Sequence, residues 1–260
     1  AFQSGLLDAV HEIHPTLRSK TRLIPQATTS PLAPPSLPRV VPDGSSCSAA
    51  AHVRAPSGGA SVLEVLDILP GEVLLLLPAG LRPVKDVLFV VDALARWHRA
   101  DPAICLRIVG PELDPVYADS VRRALTGLEL PRFAAFVGTL PQEHLHVAMV
   151  SAAIVLNTSS SEGMCNSILE SQLLGTPVVA RSNGGNRALV HHGETGLLFE
   201  DPEECVRLCQ SIVQSDELAC RLGKRARECV LRNHSPAQEA AAYGRRLEEA
   251  LSASYGCHAV

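Results

Sequence analysis

The chain has 260 residues, 46% hydrophobic and 19% charged, with a formal net charge of −4. That composition supports a sizeable core and carries no basic surplus, so neither nucleic acid nor a membrane surface is an expected partner. The apolar run at 73–77 is too short to span a bilayer, and no secretory signal pattern opens the chain. Eight cysteines occur without a CxxC pair. Cys205 and Cys209 share an apolar helical stripe with Leu208 and Ile212, which predicts buried free thiols and fits a reducing, cytoplasmic compartment.

Residues 1–30 alternate weakly between helix and strand signals. Residues 31–61 carry Pro31, Pro34, Pro35, Pro38 and Pro42 and then a Ser/Ala/Gly-rich stretch, a composition that reads as a linker without a packed core. From Glu72 onward the pattern is regular. A buried strand is predicted over 73–77. A helix follows over 85–99, with Val87, Val91, Leu94 and His98 on one stripe and Trp97 packing beside them. Next come a strand over 104–109, a helix over 114–125 with an acidic first turn, and a strand over 133–137. A helix over 141–150 opens on Pro141. A strand over 152–156, a helix from near 164 to Gly175 and a strand over 177–180 form one βαβ unit. A short helix near 187–191, a strand over 196–199, and helices over 203–214, 217–232 and 236–253 complete the chain. Tyr243, Leu247, Ala250 and Leu251 share one face of the last helix. Alternation of strand and helix predicts an α/β fold with a doubly wound, Rossmann-like parallel sheet.

The chemistry concentrates in that βαβ unit. Glu162 lies in the loop after its first strand and Glu170 lies on its helix, eight residues on. Open parallel sheets bind ligands outside the carboxyl ends of their strands, where Glu162 falls. A helix starting near Met164 and Cys165 aims free N–H groups at that loop, a setting that attracts phosphate. A carboxylate at Glu170 can accept hydrogen bonds from a ribose diol, and Glu162 can contact a sugar hydroxyl or positive charge at a reacting carbon. The plainer alternative makes Glu162 a helix cap and Glu170 a solvated side chain. Arg82 and Lys85 follow the first strand, where they can clamp a diphosphate. As ordinary surface cations they would sit at a helix start, where the dipole disfavours them.

Gly184-Gly185 and Gly193 to Gly196 read as tight turns, and the first lets backbone approach a ligand. His144, His146, His191 and His192 are badly spaced for a metal and read as surface or partly buried residues. Asn157-Thr158-Ser159 matches a glycosylation pattern but ends a buried strand. A glycine fingerprint for a dinucleotide is absent, which removes support for an oxidoreductase.

The run Ser161-Glu162-Gly163-Met164-Cys165-Asn166-Ser167-Ile168-Leu169-Glu170, followed by Leu174-Gly175-Thr176-Pro177-Val178-Val179-Ala180, resembles the E-x7-E signature of the group 1 glycosyltransferases. Gly193-Glu194-Thr195-Gly196-Leu197-Leu198-Phe199 is similar to the turn and strand that follow it there. Pro78 to Asp86 resembles the family's first-strand loop. The resemblance covers about residues 72–232. It implies the C-terminal, donor-binding half of a two-domain (GT-B) enzyme that transfers a sugar, with retention and without a metal or other cofactor, from a nucleotide-diphosphate sugar to an unknown acceptor. On this resemblance Glu170 holds the ribose and Glu162 contacts the sugar. Gly163, Met164, Cys165, Asn166 and Ser167 line the sugar and diphosphate. Gly80, Arg82 and Lys85 serve the phosphates, and Gly138, Thr139 and Leu140 hold the base. The leaving diphosphate helps to deprotonate the acceptor.

Two departures stand out. The family's arginine usually follows the loop glycine directly and lies five residues before the lysine, whereas Arg82 is two residues after Gly80 and three before Lys85. The family's Gly-Gly-x-Pro-Glu turn reads Gly184-Gly185-Asn186-Arg187-Ala188. In that family the acceptor domain precedes the donor domain. Residues 1–71 are therefore expected to be a remnant of it plus a largely disordered linker, 72–232 the nucleotide-sugar domain, and 233–260 a C-terminal helix and tail whose apolar face lacks its cover. A chain so arranged is a fragment or truncated form, and its second reading is a non-catalytic module that binds nucleotide sugar or a partner.

Overall fold

The computed structural model describes residues 61–234 and the positions 240, 243 and 245, which are helical. The readings of residues 1–60, and of the last helix beyond those three positions, lie outside the described residues. Tyr243, placed on that helix's apolar face, is exposed.

Six parallel strands form one sheet: β1 (Val73–Pro78), β2 (Ile104–Val109), β3 (Ala134–Gly138), β4 (Ile154–Asn157), β5 (Val178–Arg181) and β6 (Leu197–Phe199). Their order is β3-β2-β1-β4-β5-β6. The chain winds outward from β1 to β3, then returns to place β4 beside β1 and winds the other way. Leu74 to Leu77 and Ile154 to Leu156 are almost wholly buried, because a parallel strand is covered on both faces. This is the expected doubly wound α/β sheet.

The helices are α1 (Val62–Val65), α2 (Val91–Ala100), α3 (Pro115–Gly127), α4 (Gln142–Ser151), α5 (Asn166–Leu174), α6 (Gly184–Leu189), α7 (Pro202–Val213) and α8 (Asp216–Asn233). One core joins the sheet to α2, α3 and α7 through Leu94, Trp97, Val121, Cys209 and Ile212. Two further clusters gather α1 with α4, and α5 with α6. Cys205 and Cys209 are buried free thiols, as expected. Helix α8 packs on α5 and α7. Gly223 and Gly175 make the α5 contact possible, since a Cβ on Gly223 would stand 2.0 Å from the Gly175 oxygen. Gly175 also ends α5 in the left-handed conformation, at φ 82°.

Several expectations shift. The helix read from Lys85 begins only at Val91, because Pro83–Lys85 form a 3-10 turn and Asp86 is left-handed at φ 43°. Val87 is buried, but on the turn rather than the helix. Asp114 is the cap of α3 rather than part of an acidic first turn, accepting from Tyr117 N at 3.0 Å. Pro141 occupies the cap position of α4 and not its first turn. Residues 62–69, read as lying outside the packed unit, carry α1, whose Val62 and the following Leu66 are buried.

Arg107, in the middle of β2, is almost fully buried. Its guanidinium donates to the carbonyls of Leu66 at 2.5 Å, Asp67 at 2.8 Å and Leu106 at 3.0 Å, and to those of Arg132 and Phe133 at 3.4 Å. A charge this deep persists because its donors are satisfied. Those bonds also fasten the turn after α1 to the sheet.

Candidate functional site

The reversal of winding places β1 and β4 side by side while their following loops run to opposite faces, and such a switch point opens a crevice at the carboxyl ends. The loop after β1 carries Gly80, Arg82 and Lys85. The loop after β4 carries Glu162. Lys85 Nζ donates to Glu162 Oε1 at 2.5 Å, with the two side chains 15% and 9% exposed. Ser159 Oγ and Asn157 Nδ2 donate to the same oxygen at 2.6 and 3.3 Å. No hydrogen bond reaches Oε2 from the described residues. Burial alone would raise the Glu162 pKa, but the bonds from Lys85, Ser159 and Asn157 outweigh it and hold the carboxyl below its ordinary value.

The pairing changes the reasoning about Lys85. A helix dipole has no bearing on it, since α2 starts six residues later. Its charge is answered by Glu162 instead. Arg82 is not brought into this pair: its side chain is exposed and makes no hydrogen bond or ion pair among the described residues.

The two loops are stitched together. Thr158 Oγ1 donates to Lys85 O at 2.8 Å, and Ser160 N to Val84 O at 3.0 Å. Arg181, at the end of β5, donates to Asp86 Oδ2 at 2.8 Å and to Thr158 O at 3.3 Å, and lies 3.6 Å over the Phe89 ring. These contacts fix the turn that presents Lys85.

Helix α5 begins at Asn166, after Cys165, without a side-chain cap bond. Ile168 N and Leu169 N donate to Cys165 O, and among the described residues the N–H groups of Asn166 and Ser167 stay available beside the Glu162 loop. Cys165 is buried, and burial together with the neighbouring Glu162 charge pushes its thiol pKa up. Gly163, Met164 and Ser167 are half-buried and Asn166 is exposed, so this turn presents main chain and side chain to solvent. Glu170 sits one turn further along α5, its carboxylate 3.6 Å from the Nε2 of His146 on α4. His146 is buried, in contrast to its reading as a surface or partly buried residue. Gly138 ends β3 at φ 87°, followed by exposed Thr139 and half-buried Leu140. Leu140 packs with α4. β2 separates that loop from the crevice strands.

Gly184 and Gly185 do not form a tight turn; they open α6, capped by Asn183 Oδ1, which accepts from Asn186 N at 2.9 Å. Gly185 instead lets the chain meet its own loop, since a Cβ there would stand 2.2 Å from the Glu162 oxygen. The Gly193 to Gly196 segment is a turn, as read. Asn157 is only 3% exposed and its amide is engaged. Sequence reasoning missed Asn157, Arg181, Asn183 and Asn186. A signal was present for the first: a polar residue closing a buried apolar strand needs a partner. A concavity of about 510 Å³ lies elsewhere, between α3 and edge strand β3, and contains none of the predicted residues.

Fold and site thus define a Rossmann-type domain with a half-buried lysine–carboxylate pair at its switch point. The family described as glycosyl transferases group 1 matches residues 64–229. The chain belongs to that family. It is 37% identical over 162 residues to glycosyltransferase 1 domain-containing protein 1 of Xenopus tropicalis, covering 62% of this chain and 46% of that protein. It is 30% identical over 178 residues to D-inositol 3-phosphate glycosyltransferase of Corynebacterium efficiens, covering 66% and 42%. The chain therefore spans under half the length of these curated relatives. The crystal structure of Anabaena Alr3699/HepE in complex with UDP and glucose shares the fold. Its TM-score is 0.66 at 22% identity, over 75% of this chain and 53% of that one. Among the described residues no helix is long and apolar enough to cross a membrane.

Proposed function

We propose that residues 62–233 are the donor-binding half of a glycosyltransferase that moves a sugar from a nucleotide-diphosphate sugar, with retention and without a metal, to an acceptor that remains to be named. The observation that carries this reading is the Lys85–Glu162 pair, 2.5 Å apart, at the switch point of a group 1 family domain. On it, Lys85, the free N–H groups of α5 and exposed Arg82 supply positive potential to the diphosphate. Cations already held in place neutralise a leaving group without reorganisation. Glu162 Oε2 faces the sugar, Glu170 takes the ribose, and the Gly138 to Leu140 loop meets the base. Gly80 keeps the end of β1 slim. The leaving diphosphate assists deprotonation of the acceptor.

A second reading, a module that binds the donor without turnover, draws support from Arg82, whose exposed side chain is engaged by none of the described residues. Anomeric proton NMR of UDP-glucose and GDP-mannose incubated with the chain and EDTA tests both. Release of nucleoside diphosphate with the sugar in the donor's own anomeric configuration is expected. Inversion, or loss of release with EDTA, contradicts the first reading. Binding without release favours the second.

A further inference from the structure

Three donors converge on one oxygen of Glu162, and one of them is itself held from below. Asn157 Nδ2 donates to Glu162 Oε1 at 3.3 Å and to Cys165 Sγ at 3.2 Å. Its Oδ1 accepts from Ser159 N at 3.2 Å and from Asn186 Nδ2 at 2.8 Å. Asn186 Nδ2 also donates to Arg181 O at 2.9 Å. Both asparagines are buried, at 3% and 0% exposure.

The direction of this relay is forced at each end. Arg181 O and the Glu162 carboxylate only accept, and Ser159 N only donates. Turning either amide over would set oxygen against oxygen. Asn186 spends both amide protons on Asn157 and Arg181 and leaves its own Oδ1 buried without a partner. Buried acceptors are rarely left so, and here the arrangement that leaves it is the one that keeps Asn157 pointing at Glu162. Asn183 Nδ2 ties the same loop to Ser159 O at 2.8 Å. Gly185 lets α6 press against the Glu162 main chain.

We propose that Asn157, held by Asn186, is a positioning residue that fixes the Glu162 side chain so that Oε1 faces Lys85 and Oε2 is presented to the donor sugar. The α6 segment, in which the family's usual Pro-Glu is replaced by Arg187-Ala188, thereby supports the site through Asn186 and not through a carboxylate of its own. The role of Oε2 rests on the reading proposed above. The fixing of Glu162 does not.

Carbon-detected NMR titration of the Glu162 carboxyl in the ligand-free chain tests the proposal independently of any activity. The groups that face this carboxylate besides its neutral donors are the Lys85 ammonium from the loop after β1 and the uncharged Cys165 thiol at the start of α5, and both stay in place in every variant. Asn157→Asp keeps the acceptor for Ser159 and Asn186 but turns the donor into an acceptor, so the Glu162 midpoint should rise most. Asn157→Ala should raise it by less, as loss of one hydrogen bond to the charged form does. Asn186→Ala leaves every direct contact of Glu162 intact and should raise it less, with a broadened carboxyl resonance. Unchanged midpoints in both Asn157 variants overturn the proposal. So does an unchanged midpoint in Asn186→Ala, should the Asn157 variants not fold. UDP-glucose affinity of Glu162→Gln, measured alongside, separates the two ideas: affinity equal to wild type removes the sugar role of Glu162 while leaving the titration result standing.

Discussion

Two charges sheltered by the fold, half-buried Glu162 and buried Arg107, divide this molecule. Glu162 stands at the carboxyl edge of the sheet with a cation, a hydroxyl and an amide on one oxygen and none on the other. Arg107 stands inside β2, its donors taken by main-chain carbonyls of neighbouring segments. Both are satisfied, as buried charges must be. The difference lies in what remains. Arg107 is spent on the chain itself, whereas Glu162 keeps an oxygen in reserve. A half-buried charge with spare capacity at a sheet's carboxyl edge points to a ligand, and a buried one bonded to backbone carbonyls points to stability.

That contrast can be broken by mutation. Arg107→Ala should have the largest effect on stability, roughly 3–5 kcal/mol, because it orphans several buried carbonyls at once. Urea denaturation should show it, with nucleotide affinity of the folded fraction unchanged. A parallel loss of nucleotide affinity would blur the division. Lys85→Ala should cost roughly 1–3 kcal/mol by leaving half-buried Glu162 without its cation. It should also weaken binding of a nucleoside diphosphate more than that of the nucleoside. Equal weakening of the two would remove Lys85 from the phosphate role. Glu170→Ala should lower nucleotide affinity by about 1.5–3 kcal/mol through a lost ribose contact. Calorimetric titration reads it directly.

The pH dependence sharpens the same comparison. The Glu162 carboxyl is held below its ordinary value of 4.5 in the fold, and Glu72 likewise, through its bond from Arg132. Stability contributed by a depressed carboxyl is complete above the unfolded value and disappears as pH falls through the folded one. Melting temperature should therefore drop as pH goes below about 4.5, and Lys85→Met should flatten part of that fall. The smallest effect concerns Cys105, two residues before Arg107 on β2, whose thiol is pushed up to about 11 by burial. It should react with iodoacetamide far more slowly than half-buried Cys229 at neutral pH.

Much of the fold was legible because two-sided burial writes strands as apolar runs. β2 falls on its predicted residues, and β1 gains only Pro78. The errors have local causes. Val87 continues the apolar spacing of α2 backward, yet left-handed Asp86 breaks the helix before it. Gly184 and Gly185 look like a turn because glycine usually ends a helix, but close packing against the Glu162 main chain demands glycine inside one. Of the site, Lys85 and Glu162 were legible by type and place. Their contact, and the Asn157–Asn186 relay between positions 29 residues apart, depend on strand order, which no local pattern carries.

On the function proposed above, the switch-point crevice takes a nucleotide-diphosphate sugar. A thermal-shift panel of UDP, GDP, UDP-glucose, UDP-N-acetylglucosamine and GDP-mannose, with and without EDTA, tests it most directly, because a ligand that binds only the folded state raises the melting temperature. The account predicts a rise with ligands of one base, indifferent to EDTA and lost in Glu170→Ala. A folded chain whose melting temperature is moved by none of the five would contradict it.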